Sequence, residues 1–213
     1  MQYTFRLMCL VIGLLVSTLP AQAIDLKPDT FKPYAGAGLG GFIIDAGLGS
    51  ETAFGGYGIL GADLHENYGI ELRVGATGDT GSTVIVPTTL APLPNGGGPP
   101  ITLGIPTPAT IGIDWFVSYL FKLQYPVDEG FRIYGLIGGT TLKSSLTFAS
   151  LGRTAHIKKT TFSYGGGIDY RLDNQWLLGV DAMVYANDAS TDPGTNFTGL
   201  DVWGLTGTIK YEF

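Results

Sequence analysis

Apolar and polar positions alternate along most of this chain. Residues 203–213 show it most plainly: odd positions carry Trp203, Leu205, Ile209, Tyr211 and Phe213, and even ones Gly204, Thr206, Thr208, Lys210 and Glu212. Successive side chains of a strand point to opposite faces, so this segment predicts a strand with one greasy and one polar face. Residues 68–77 repeat the pattern, with Tyr68, Ile70, Leu72, Val74 and Ala76 set against Gly69, Glu71, Arg73, Gly75 and Thr77. In 111–125, Ile111, Ile113, Trp115, Val117, Tyr119, Phe121, Leu123 and Tyr125 take every odd position, so all eight are expected on one face. Residues 34–44, 54–64, 131–142, 161–172 and 176–187 supply five further strands.

The connections alternate in length. Residues 65–67, 126–130 and 173–175 are short turns, while 45–52, 78–109, 144–159 and 188–199 are long loops. The core of the longest, 87–100, is crowded with proline and glycine. Prolines lack donors and glycines cost entropy to order, so an irregular loop is expected there. Eight strands of about ten residues with this loop asymmetry predict an all-β fold: an eight-stranded antiparallel up-and-down transmembrane β-barrel. A lipocalin-like soluble barrel also has eight strands, with its apolar face inward. Two features favour the membrane form. Bulky aromatics stand at the strand ends as a girdle, Tyr68, Tyr125, Phe131, Tyr170, Trp176, Tyr211 and Phe213 on the short-turn side and Phe54, Trp115, Phe162, Tyr164 and Trp203 on the other. The opposite face holds charges of both signs among glycine, serine and threonine.

The first residues indicate the compartment. Arg6 precedes an apolar run over 7–16, then Ala21-Gln22-Ala23, so 1–23 reads as a cleaved signal peptide and 24–213 as the barrel domain. The run is shorter than the ~20 residues of a membrane helix. Cys9, the only cysteine, lies in the leader, which leaves the mature chain without a disulfide or a thiol nucleophile. Charged residues make up only 14% of the sequence and net charge is -6, becoming -7 once Arg6 is lost. Without a basic stripe there is no nucleic-acid partner to expect.

The inward-facing charges expected are Asp63, Glu71, Arg73, Asp114, Lys122, Arg132, Asp169, Arg171, Asp181, Lys210 and Glu212. A barrel of eight strands is just wide enough for side chains to fill it, so these predict a polar plug, with a gated narrow conduit as the alternative. A lipid-modifying hydrolase needs a histidine and a serine together at the outer rim. His65 lies in a short turn and His156 in a long loop near Ser144, Ser145, Ser150 and Ser163, with no tight motif and no acid evident to orient the imidazole. No catalytic, cofactor-binding or metal residue is therefore assigned, and no cofactor is expected. Arg153, Lys158 and Lys159 are candidate contacts for lipopolysaccharide phosphates.

Taken together, the leader, the eight alternating strands, the loop asymmetry and terminal Phe213 resemble the small bacterial outer-membrane barrels of the OmpA-like transmembrane domain, opacity and "porin family" type. The resemblance implies a Gram-negative outer-membrane location with both termini periplasmic, and contacts with membrane lipid and lipopolysaccharide. It also implies recognition of the C-terminal strand by the barrel-assembly machinery. It implies no enzymatic activity. Two roles follow: a structural or surface-interaction protein whose 78–109 loop meets an extracellular ligand, or a narrow pore for ions or a small apolar solute.

Overall fold

The computed structural model describes residues 31–45, 50–90, 101–148, 153–187 and 199–213. The expected leader falls outside the described residues, as do 46–49, 91–100, 149–152 and most of the 188–199 loop. The described regular structure is all strand: β1 (Lys32–Asp45), β2 (Ser50–His65), β3 (Tyr68–Thr77), β4 (Thr80–Leu90), β5 (Ile101–Pro126), β6 (Phe131–Phe148), β7 (Arg153–Arg171), β8 (Trp176–Ala186) and β9 (Asp201–Glu212).

Eight of these close a ring. β1 pairs with both β2 and β9, from Tyr34↔Glu212 to Asp45↔Asp201 on the β9 side, and β3 pairs with β5. The circuit runs β1-β2-β3-β5-β6-β7-β8-β9 and returns to β1, antiparallel throughout. Closure removes the exposed edges of an open sheet. The barrel class and the eight-strand count are those expected.

Two of the short turns share one construction. Asp128 accepts from the Gly130 and Phe131 amides at 2.8 and 2.7 Å. Asp173 does the same for Gln175 and Trp176 at 2.8 and 2.7 Å. A short carboxylate bonding its own backbone two residues on is the reason aspartate starts turns.

The long connections depart from expectation. Residues 78–109 are not wholly irregular: β4 lies against the first part of β5 from Thr80↔Ile111 to Leu90↔Ile101, a ribbon standing beyond the ring. Its prolines explain why this works. The rungs Thr83↔Pro108, Ile85↔Pro106 and Pro87↔Gly104 are alternate ones. In an antiparallel ladder the rungs that exchange no hydrogen bonds recur at this same spacing, and a residue without an N–H is tolerated on them. The expected 144–159 loop is likewise mostly strand, with β6 and β7 paired from Phe131↔Tyr170 out to Phe148↔Arg153. Sequence period alone ended these strands at the edge of the apolar band.

A β-bulge between Ile113 and Trp115 has the largest consequence. It lies where β5 changes neighbour, from β3 (last rung Gly75↔Phe116) to β4 (first rung Thr80↔Ile111). The extra residue, Asp114, puts Ile111 and Ile113 on the buried face, although they share odd parity with outward-facing Tyr119 and Tyr125.

The interior is layered. Phe42, Ile44, Ile113, Phe116, Leu142, Leu146, Tyr185 and Val202 fill the long-connection half, with the Phe42, Phe116 and Tyr185 rings 5.0–5.9 Å apart. The other half is charged. Outside, Leu39, Leu60, Ile70, Val74, Ile133, Ile168, Val180, Leu205 and Ile209 form a continuous exposed apolar band. An apolar surface of that extent marks a partner other than water.

Candidate functional site

Ten of the eleven expected inward charges are brought together inside the ring. At mid-depth, Arg73 donates to Glu71 Oε1 at 2.6 Å and to Asp181 Oδ2 at 2.8 Å. Tyr57 lies beside them, its hydroxyl accepting from Arg73 at 3.0 Å and donating to Asp181, while Thr206 donates to Asp181 at 2.6 Å. Toward the short turns, Arg132 reaches Asp63 at 2.9 Å and Glu212 at 3.1 Å, and Arg171 reaches Glu212 at 2.6 Å. Lys122 lies 3.4 Å from Asp63, and Lys210 3.1 Å from Asp169. A 3.9 Å approach of Lys210 to Glu71 joins the two groups.

The eleventh, Asp114, is not in the lumen. Carried outward by the bulge, it bonds Lys143 Nζ at 3.1 Å and accepts from Ser145 Oγ at 2.6 Å on the outer face. Without it the acids Asp63, Glu71, Asp169, Asp181 and Glu212 meet the bases Arg73, Lys122, Arg132, Arg171 and Lys210, five against five. A neutral, cross-bonded set is the form in which buried charge is tolerated.

Three lumen tyrosines were not legible as members of this network. Tyr34, Tyr57 and Tyr134 each face a glycine on the neighbouring strand, in the rungs Tyr34↔Gly61, Tyr57↔Gly38 and Tyr134↔Gly167. A Cβ at Gly38 or Gly61 would collide with the opposing ring, and one at Gly167 with the Tyr134 hydroxyl. The missing side chains let the tyrosines lie along the wall. Their hydroxyls reach Glu71 (2.8 Å, from Tyr34) and Asp181 (3.2 and 3.3 Å, from Tyr57 and Tyr134). Lys122 and Lys210 stand between the Tyr34 and Tyr134 rings, 4.7–5.9 Å from the centroids, which eases the crowding of two ammonium groups. The signal in the sequence is a glycine on the polar face of one strand opposite a tyrosine on the next, visible only once the register is known.

At the rims, Trp176, Tyr211 and Phe213 form an edge-to-face ladder with centroids 5.0 and 5.3 Å apart. Tyr125, Tyr170, Phe54, Phe162 and Trp203 are exposed, and Phe162 stacks on Tyr164. Trp115 underlies Lys158. Tyr68 is half-buried against His65, and Phe131 is half-buried at the head of β6.

The candidate phosphate contacts separate. Lys158 is outward, on the rung Lys143↔Lys158, whereas Lys159 pairs with buried Leu142 and belongs to the inner face. Arg153 begins β7. His156 does have an acid close by, its Nδ1 3.9 Å from Asp114, and Ser145 is its cross-strand partner. The Ser145 hydroxyl, however, donates to that carboxylate and not to the imidazole, so nucleophile and base are not coupled. Among the described residues no group of three or more His, Cys, Asp or Glu is arranged to hold a metal ion.

A family model described as outer membrane protein beta-barrel domain matches residues 9–213. No curated protein sequence matches the chain. Among solved structures, Ail, the attachment invasion locus protein of Yersinia pestis, in complex with the heparin analogue sucrose octasulfate, is 11% identical with a TM-score of 0.54, covering 86% of this chain and 99% of Ail. Neisserial surface protein A is 11% identical with a TM-score of 0.53, over 86% and 97% of the two chains. OprG from Pseudomonas aeruginosa is 15% identical with a TM-score of 0.52, over 85% and 96%. These likenesses are of fold.

Proposed function

The chain belongs to the outer membrane protein β-barrel domain family, and from that membership we propose a non-enzymatic integral barrel with a structural or surface-interaction role in the envelope. One observation carries this reading. The ring is bridged across its middle by a neutral, solvent-excluded ion network, while β5, β6 and β7 run well past the apolar band. This supports a barrel whose interior blocks passage and whose long strands project.

In this reading the short turns and both chain ends face the periplasm, and the β4–β5 ribbon with the outer parts of β6 and β7 faces the exterior. The apolar band meets lipid, the outer rim meets lipopolysaccharide, and the C-terminal strand β9 is the segment the assembly machinery receives. The ribbon, within the expected 78–109 contact segment, is the element for an extracellular ligand. Two measurements test this. Removing residues 81–108 should leave a heat-modifiable barrel but abolish attachment of expressing cells to epithelial monolayers and heparin-coated surfaces. Reconstitution into planar bilayers should give no steady conductance. Ohmic channels in the wild type would favour the alternative, a narrow pore for ions or a small apolar solute.

A further inference from the structure

Three strands present one outward row just past the apolar band, Trp115↔Lys143↔Lys158 across β5, β6 and β7. Along the outward face of β6 and β7 the rungs read Ile133↔Ile168, Gly135↔Gly166, Ile137↔Tyr164, Gly139↔Phe162 and Thr141↔Thr160 before Lys143↔Lys158 and Ser145↔His156 are reached. Greasy side chains give way to hydroxyls and then to cations within three rungs. The two lysines therefore stand at the height where hydrocarbon ends and headgroups begin.

Like charges directly opposite each other on neighbouring strands destabilise a sheet. Here the fold answers only one of them. Asp114, turned outward by the bulge, takes Lys143 at 3.1 Å. Lys158 makes no ion pair among the described residues, and its ammonium lies over the Trp115 ring, 5.5 Å from the centroid. His156 stands one rung beyond, half in contact with the same carboxylate. The row thus carries an excess of positive charge over an aromatic floor, one ammonium answered by a carboxylate and the other by none among the described residues.

We propose that Lys143, Lys158 and Trp115 form a binding site for the phosphate ester of an outer-leaflet lipid headgroup, with His156 at its margin. This rests on the membrane placement proposed above. Two ammonium groups on a rigid rung suit a compact dianion, and the indole beneath suits the start of the acyl region. Of the expected trio Arg153, Lys158 and Lys159, the site keeps Lys158 and takes Lys143 in place of Lys159, which belongs to the other face of the sheet.

The test uses the full-length barrel refolded in zwitterionic detergent, its folding checked by heat-modifiable mobility. Binding is measured for diphosphorylated lipid A, the same lipid with its phosphates removed, and inorganic phosphate. The expected result is binding of the phosphorylated lipid that weakens about tenfold in Lys143→Gln/Lys158→Gln, in line with loss of a charge-assisted contact. Lys159→Gln should bind as the wild type does, and the dephosphorylated lipid should bind as weakly as the double variant. Equal affinity of wild type and double variant overturns the site. Inorganic phosphate binding as tightly as the lipid, with the same dependence on both lysines, overturns the lipid as its source. A chain that never gives a heat-modifiable barrel contradicts the membrane placement and with it this site. A folded barrel indifferent to both lysines contradicts the site alone.

Discussion

Arg73 and Asp181 meet at 2.8 Å from opposite walls of the barrel. β3 and β8, which carry them, stand four strands apart in a ring of eight, so the pair spans the diameter. Both side chains are almost wholly excluded from solvent, and Arg73 also holds Glu71 at 2.6 Å. Arg73→Met leaves Asp181 without its cation and Glu71 with only the 3.9 Å approach of Lys210. Removing one partner of a buried ion pair costs about 3–5 kcal/mol. The midpoint of urea unfolding in lipid vesicles should fall accordingly, and a loss under about 1 kcal/mol would mean that water reaches the network. Arg73→Met with Asp181→Leu should recover part of the loss, because the uncompensated charge at Asp181 is then gone.

The tyrosine hydroxyls reach that network only because glycines face their rings. Gly38→Ala places a methyl against Tyr57 and pushes its hydroxyl away from Arg73, Asp181 and Thr206. Overpacking of this kind costs about 1–3 kcal/mol. Gly41→Ala, on the same strand with its nearest neighbour at 3.8 Å, should cost far less. Comparing the two unfolding midpoints separates a collision with a ring from a general cost of altering β1. Equal effects would refute the tyrosine–glycine account.

Acid should weaken the turn that Asp173 starts. The amides of Gln175 and then Trp176, both donating to Asp173, hold its carboxyl below the ordinary aspartate value. A folded-state value lower than the unfolded one means that the ionised form is favoured by folding. The contribution is complete above an unfolded value of about 3.9 and is lost as pH falls through the lower folded value. Carboxyl chemical-shift titration of the folded barrel should therefore give an Asp173 midpoint under that of an unstructured peptide. Asp173→Ala should flatten the acid limb of the unfolding profile. A midpoint at or above the peptide value contradicts the bonding pattern.

The parts of this fold legible in the sequence are those in which one strand repeats a period against one environment. The short turns announce themselves by Asp128 and Asp173, the aromatic rims by Trp176, Tyr211 and Phe213, and the lumen charges by their even spacing opposite apolar residues. What was not legible depends on partners. Pro87, Pro106 and Pro108 argue against structure one at a time, and fit a ribbon once pairing puts all three on alternate rungs, the spacing at which an antiparallel ladder asks for no donor. Tyr34 and Tyr134 look like any strand aromatic until Gly61 and Gly167 are found opposite. Asp114 shares even parity with Lys122, yet one inserted residue puts it on the other face.

That insertion makes the sharpest prediction. A deletion within a strand ordinarily slips the register and turns every later side chain to the wrong face. Asp114 is the exception, because Ile113↔Ser144 and Trp115↔Lys143 are already consecutive rungs on the β6 side. Deleting Asp114 joins them into a regular ladder, with Ile113 still inward and Trp115 still outward. The barrel should fold, keep its heat-modifiable mobility and lose only the clip between β5 and the Lys143, Ser145 and His156 side chains. Deleting Ser118, three rungs into the regular part, has no such escape. Its neighbours Lys122 and Gln124 would turn to lipid while Tyr119 and Phe121 turned inward, or the rungs to β3 and β6 would break. Folded barrel from the first deletion and none from the second is the expected outcome. Failure of both would show that Asp114 is an ordinary member of the strand.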